Sequence, residues 1–303
     1  MPLPGLSQAA DRPLVSIVCV THGRRAHVLR CLESCVRQDY APLEIIVFVN
    51  GSDLETERAI ASSFPNVRRL TAQRNVGFFP ALNLAIADAR GEFIMTVDDD
   101  AWFMSPDAIG RLVAAFEREP GLGAVTCNLE GPSERPVEGG DRYVHLFTTG
   151  FTMMPRRVFT EWIGYYPDLF FRSAGETFMC TALWDQDRPV KRVHNVRMFH
   201  ARTMDARPTA EWYYHGLRSQ ILCGLMRDPW YLVPAGLVSK ASRSFVHGAR
   251  LGMLSTWCRA WAGAARHTPA ALRLRRPISW KTQRRLWRLR GGGITDLSVL
   301  RPH

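Results

Sequence analysis

The sequence predicts an α/β protein on a mostly parallel sheet, continued by a basic, helical C-terminal extension. Two observations carry this. Short β-branched apolar runs alternate with stretches of helical periodicity through the first half, the pattern of strands joined by crossover helices. The charge is also divided unevenly. Of 39 Lys and Arg and 28 Asp and Glu in 303 residues, fourteen Arg and two Lys lie from Thr209 onward, against Glu211, Asp228 and Asp296 alone. That end carries +13 and the first 208 residues carry −2, so the formal +11 belongs to the tail. A composition of 46% hydrophobic and 22% charged residues with nine Trp excludes a disordered chain, and the length suffices for one large domain or two ordinary ones.

The elements follow in order. Val15 to Val20 is an apolar strand closed by the turn Thr21-His22-Gly23-Arg24, after which Leu29, Leu32, Cys35 and Val36 recur at helical spacing. Glu44 to Val49 is a second strand, and the turn Asn50-Gly51-Ser52-Asp53 ends in a residue able to cap the helix Asp53 to Ser63. Val67 to Thr71 reads as strand, Pro80 to Ala89 as helix, and Phe93 to Val97 as a buried strand running into Asp98-Asp99-Asp100. Pro106 to Glu119 carries Ile109, Leu112, Val113 and Phe116 on one helical face, and Gly123 to Asn128 is another strand. Leu129 to Arg142, with Gly131-Pro132, Pro136 and Gly139-Gly140, reads as a long functional loop. Tyr143 to Met154 and Val190 to Phe199 read as added antiparallel strands flanking a helix near Gly175 to Asp185, and from Thr209 only helices are expected.

Seven scattered cysteines without a CxxC pair read as reduced thiols, Cys31 and Cys35 buried on one helical face, and point to the cytosol. Met1 to Arg12 lacks the apolar core of a secretion signal and reads as a flexible lead-in. The longest uncharged stretch of the tail, Pro229 to Ser239, has 11 residues. Spanning a bilayer takes roughly 20.

Three consecutive aspartates after a buried strand form the chemical centre. Like charges at contact distance raise one another's pKa, so a cation is expected to relieve them. Asp98 and Asp100, two positions apart in an extended turn, can point the same way and hold a hard divalent ion that bridges to substrate phosphate. The other reading is that the carboxylates cap the helix starting near Ser105-Pro106 and sit in water.

The order of motifs resembles the family 2 glycosyltransferases, enzymes of GT-A fold. Val15 to Arg24 is similar to the family's opening strand and nucleotide-binding turn, and Glu44 to Val47 leading into Asn50-Gly51-Ser52 to its second strand and turn. Arg74-Asn75-Val76-Gly77-Phe78, Ala81-Leu82-Asn83, Ala89-Arg90-Gly91-Glu92-Phe93 and Asp98-Asp99-Asp100 resemble its central stretch, which ends in a DxD motif. Gly175-Glu176-Thr177 resembles the acidic motif of its catalytic base. The likeness covers roughly Leu14 to Asp228 and is nearest to rhamnosyltransferase-type members of polysaccharide assembly.

The resemblance implies an inverting, metal-dependent transfer of one sugar from a nucleotide-diphosphate donor to a glycan, lipid-linked or small-molecule hydroxyl. Asp98 and Asp100 would hold Mn2+ or Mg2+, His200 would contact metal or diphosphate, and Glu176 would be the base. Asp185 and Asp187 stand as alternatives for the base. Thr21, His22, Arg24, Asn50, Arg74, Asn75, Asn83 and Asp99 fall in the donor-binding motifs, and Trp102 beside the acceptor. Read as bare residues, His22 equally suits a surface turn, Arg24 a charged helix start, Asn75 a support for the turn before Gly77, and Trp102 the core. Two departures matter. Val49 stands where many members carry an aspartate for uracil, which leaves dTDP and GDP open beside UDP. Glu176 is followed by Thr177 and Phe178 where many members have further acids.

In the tail, Leu251, Leu254, Cys258 and Trp261 fall on one helical face. Trp280, Leu286, Trp287 and Leu289 interleave with Lys281, Arg284, Arg285, Arg288 and Arg290. This is the composition of helices lying in an anionic membrane interface, the alternative being a subdomain packed on the body with a solvated basic face. The expected organisation is a lead-in at residues 1–13, a catalytic domain at 14–208 and the basic extension at 209–303, in a cytoplasmic protein at the inner face of the membrane. Two rivals are weaker. A phosphatase with an Asp-x-Asp nucleophile places that motif on its first strand, with Thr or Val where Trp102 stands. A nucleic-acid binder needs a recognisable module or a continuous basic channel, and neither is visible; no nucleic-acid partner is expected. The absence of GxGxxG after the first strand argues against a dinucleotide-binding oxidoreductase.

Overall fold

The first strand, β1 (Val15–Thr21), is buried along its whole length, as a strand covered on both faces must be. It pairs in parallel with β2 (Leu43–Asn50) on one side and β4 (Phe93–Asp98) on the other, and β3 (Arg68–Ala72) adds in parallel outside β2. The computed structural model describes residues 12–203 and 209–300. Most of the expected lead-in, and residues 204–208 at the expected domain boundary, lie outside the described residues.

The crossovers are helices α1 (Arg25–Val36), α2 (Leu54–Ser63) and α3 (Phe78–Asp88). Helix α1 buries Val28, Cys31, Leu32 and Cys35 and leaves Val36 exposed. Asp53 caps α2 by accepting from the backbone N–H of Thr56 at 3.0 Å. Helix α3 starts two residues earlier than its proline suggests, because Gly77 takes a φ of +100° and hands the chain to Phe78, whose N–H donates to the carbonyl of Phe171 at 2.6 Å.

The other half of the sheet is mixed. β4 pairs antiparallel with β8 (Phe151–Pro155), which pairs antiparallel with β6 (Ala124–Glu130). β6 runs parallel to β9 (Val190–His200), on which β5 (Ala101–Phe103) and β7 (Arg142–Tyr143) lie antiparallel. The order is β3-β2-β1-β4-β8-β6-β9-β5, with α4 (Ala108–Arg118) and α5 (Gly175–Asp185) packed alongside.

Three expectations change here. Tyr143 to Met154 is two short strands, because Phe147 turns in under α5, its N–H on Cys180 Sγ, and Gly150 reverses the chain at φ +77°. β9 is antiparallel only to its short neighbours. β5 was not expected at all, since three residues carry no readable periodicity.

The C-terminal helices are α6 (Thr209–Arg227), α7 (Val233–Arg250), α8 (Leu254–Arg273) and α9 (Trp280–Leu289). α6 packs against α5 and α8, and α9 against α5. Leu251 does not share a helix with Leu254, Cys258 and Trp261. Gly252 at φ +67° ends α7 there and starts a turn, and α8 turns Ala260, Ala264 and Ala271 inward instead. Asp185 accepts from the backbone N–H of Ser279 at 2.9 Å and Asp187 pairs with Arg285, so these two carboxylates tie α9 to the end of α5. No helix among the described residues is long and apolar enough to cross a membrane.

Candidate active site

β1, β2 and β4 end along one edge of the sheet, at Thr21, Asn50 and Asp98. A cleft of about 240 Å3 opens there, lined by Thr21, His22, Arg24, Asn50, Asn75, Asp98 and Asp99 on one side. Phe78, Phe171, Arg172, Glu211, Trp212 and His215 line the other.

The three aspartates face two ways. The Arg24 guanidinium, only 6% exposed, bonds Asp99 Oδ1 and Asp100 Oδ2, each at 2.5 Å. Thr21 donates to Asp99 Oδ2 at 2.8 Å, and the backbone N–H of Thr203 donates to Asp100 Oδ2 at 3.1 Å. Burial disfavours the charge on Arg24, but Asp99 and Asp100 outweigh it and hold the guanidinium firmly protonated. Arg24 is therefore an internal counter-cation for one side of the cluster.

On the other side, Asp98, Asp100 and His200 each offer a ligand atom, all within 4.8 Å of one another. His200 Nε2 lies 3.6 Å from Asp100 Oδ1, and its Nδ1 lies 3.1 Å from Glu134 Oε1. Burial lowers the pKa of His200, so the ring is neutral at neutral pH and free to act as a ligand. Gly150 keeps room beside Asp98, since a Cβ there would overlap the Asp98 carboxylate. Two carboxylates and a neutral imidazole fit a divalent ion, with the imidazole suiting Mn2+ better than Mg2+.

The remaining sequence candidates separate into those at the cleft and those outside it. Asn50 donates to Asn75 Oδ1 at 3.0 Å and to the Gly77 carbonyl at 3.1 Å, and accepts from Val76 N–H at 2.9 Å. His22 Nδ1 meets the Asn50 carbonyl at 2.5 Å. These bonds shape the turn that forms one lip. Arg74 is exposed and does not line the cleft. Asn83 is turned away, bonding the backbone N–H and C=O of Tyr166 at 3.1 and 2.8 Å. Trp102 lines a separate groove, between the Phe199 ring 4.5 Å away and the Arg30 guanidinium 3.5 Å over its face.

Glu176, in the first turn of α5, lines a neighbouring cleft of about 470 Å3 with Thr148, Ser173, Gln220, Asp228 and Lys240. Phe171 and Arg172 line the first cleft, Ser173 and Ala174 the second, so this segment divides the two. Burial raises the Glu176 carboxyl above the usual range, and Thr149 and Arg172 partly oppose the rise. Ser173 and Ala174 both hold positive φ, 60° and 68°, a strained turn that leads into Gly175, where a Cβ would overlap the Phe79 ring.

Reading the sequence missed the far wall. His215 stacks on Phe171 with centroids 4.1 Å apart, and the Arg172 guanidinium lies 3.4 Å from the Trp212 ring centre. The aromatic run Trp212-Tyr213-Tyr214-His215 was the available signal, but it lies in the stretch assigned to the tail.

The sequence profile of glycosyl transferase family 2 matches residues 16–182. The chain is 31% identical over 115 residues to the chondroitin synthase of Escherichia coli, an overlap of 37% of this chain and 17% of that protein. It is 29% identical over 137 residues to the N-acetylglucosaminyl-diphospho-decaprenol L-rhamnosyltransferase of Mycobacterium tuberculosis, covering 42% of this chain and 43% of that one. These overlaps span less than half of either relative. Among solved structures, the mannosyltransferase PcManGT of Pyrobaculum calidifontis with GDP-Man and Mn2+ superposes with a TM-score of 0.57 at 18% identity, over 95% of this chain and 87% of that one. S. aureus TarS 1-349 with UDP-GlcNAc superposes at 0.60 and 17% identity, over 86% and 83%. At such identities the likeness is one of fold, and it extends through the helical C-terminal region.

Proposed function

Because the chain belongs to glycosyl transferase family 2, we propose that it transfers one sugar, with inversion, from a nucleotide-diphosphate donor to a hydroxyl of a glycan or lipid-linked acceptor. One observation carries the reading. Asp98 lines a cleft on the carboxyl edge of the parallel strands, where open α/β sheets bind nucleotides, and behind it the buried Asp100 and His200 each bring a ligand atom within 4.8 Å of its own.

These three residues would hold Mn2+ or Mg2+, which would supply positive charge to the leaving diphosphate. Arg24 and Thr21 hold Asp99 and one oxygen of Asp100, which keeps the third carboxylate from repelling its neighbours out of position. Asn50 and Asn75 brace the lip on which His22 faces the nucleotide. Glu176 takes the proton from an acceptor hydroxyl that enters through the second cleft, and its raised pKa brings its basicity closer to neutral pH.

Val49 is fully buried between strands and offers no carboxylate to a uracil, which leaves dTDP and GDP donors open beside UDP. The named activities of the relatives support a role in cell-surface polysaccharide assembly. A nucleotide-sugar donor and six buried free thiols fit the cytoplasm.

A screen of nucleotide diphosphates and nucleotide sugars for Mn2+-dependent thermal stabilisation tests the reading. A ligand at 100 times its Kd adds about 2.7 kcal/mol. A shift with one nucleotide class is expected, and no shift with any of them would overturn the proposal.

A further inference from the structure

Helix α9 departs from the usual amphipathic pattern at four positions. Its buried face carries Thr282 and Gln283 beside Leu286 and Leu289, while Trp280, 48% exposed, and Trp287, 42% exposed, stand on the outer face with Lys281, Arg284 and Arg288. A helix that only packs on its own body turns tryptophans inward and polar side chains outward. In α9 Leu286 and Leu289 obey this, while Trp280 and Trp287 face outward and Thr282 and Gln283 inward.

The exposed rings are connected. Trp280 lies 5.2 Å from Trp287 and 5.9 Å from Tyr231. Tyr231 and its neighbour Trp230, each 60% exposed, occupy a short turn before α7, and the Arg275 guanidinium lies 3.8 Å over the Trp230 ring. The strip is firmly held, since Asp185 and Asp187 anchor Ser279 and Arg285 at the start and middle of α9. An exposed apolar strip of this kind, rimmed by charge, marks an interaction surface.

We propose that this strip docks the protein on an anionic membrane surface, with the four rings at headgroup level and Arg284 and Arg288 against lipid phosphates. Charge selects the occupant. The strip belongs to the part of the chain that carries +13, and Trp and Tyr beside Arg and Lys are the side chains that settle at membrane–water interfaces. A second copy of the chain would bring Arg284 and Arg288 of each protomer to one self-complementary face, like charge against like. The inference is separate from the transferase reading, because neither tryptophan of α9 lines the cleft of the aspartates.

Co-sedimentation of the full chain with phosphatidylcholine vesicles, with and without phosphatidylglycerol, tests this. Binding is expected only to the anionic vesicles, weakening as salt rises, with a blue shift of tryptophan emission. W280A/W287A and R284E/R288E should each weaken it by about tenfold or more while keeping the wild-type melting temperature and nucleotide-induced stabilisation. The proposal is overturned by absence of binding to anionic vesicles at low salt, or by equal binding of both folded variants. Salt-dependent binding to DNA without vesicle binding, or a dimer abolished by W280A/W287A, would overturn it in favour of another occupant. Loss of nucleotide binding in the wild type would instead count against the transferase reading alone.

Discussion

His200 Nδ1 donates to the Glu134 carboxylate at 3.1 Å, and the opposite nitrogen of the same ring faces Asp100 Oδ1 at 3.6 Å. The carboxylate assigns the proton to Nδ1 and leaves the Nε2 lone pair toward the aspartates, the arrangement by which outer carboxylates orient metal-ligating histidines. Glu134 is itself held by Arg202, and Gly131 lets its loop approach, since a Cβ there would overlap the His200 carbonyl. Glu134→Gln should weaken Mn2+ binding roughly 10–100-fold, read as free Mn2+ by electron paramagnetic resonance, with Glu134→Asp recovering part of it. Unchanged affinity in Glu134→Gln would mean that His200 is oriented without it.

Arg24 is buried against two carboxylates, and removing it takes its positive charge from both. Arg24→Ala should cost about 3–5 kcal/mol in urea unfolding, the range for breaking a buried pair. The exposed pair Arg37 and Glu33 is the control, and Arg37→Ala should cost less than about 1 kcal/mol. Equal losses at the two sites would contradict the counter-cation role.

Glu176→Gln should keep nucleotide binding and lower transfer by roughly 10²–10⁴-fold. In the wild type, transfer should fall as pH is lowered through the Glu176 pKa, at a pH above the ordinary carboxylate value of 4.5, and the variant should lack that limb. The raised pKa also sets the sign for stability. Protonated Glu176 contributes stability in full below the ordinary value, and that contribution is lost as pH rises through the raised value. The glutamine variant stays neutral, so at neutral pH it should melt no lower than wild type. A less stable variant would show that the charged form is the one the fold favours.

Gly150 sits at φ +77° beside Asp98. Gly150→Ala should displace the Asp98 carboxylate and abolish Mn2+-dependent stabilisation by nucleotide, while Asp98→Asn should do the same with little change in melting temperature. Calorimetry with and without Mn2+ separates the two effects. An alanine variant that still responds to Mn2+ would remove Asp98 from the ligand set.

The left half of the sheet was readable because its signals are local. The apolar runs that become β1, β2 and β4, the Asp53 cap and the turn at Asn50 are each set by a few adjacent residues, and each lies within a residue or two of its expected place. The mixed half was less readable. The three residues of β5 become a strand only by pairing with β9, and the stretch after Tyr143 leaves the sheet to bury Phe147. Arg74, Asn83 and Trp102 carry suitable chemistry, yet their side chains do not line the cleft, and no period or spacing reports that direction.

What the sequence determined by itself was the strand–helix alternation, the delivery of three aspartates at the end of a buried strand, and the segregation of positive charge into the tail. These are one-dimensional properties of neighbouring residues. Only the tertiary structure decided that Arg24 meets Asp99, 75 residues away, that the pairing of Ala101 with His200 sets the histidine beside Asp100, and that Phe171, Arg172, Trp212 and His215 close the far wall. It likewise decided that α9 hides Thr282 and Gln283 and shows two tryptophans. The physical reason is common to all of these. Contacts between distant segments are selected by which surfaces bury together across the whole sheet, and no local pattern encodes that choice.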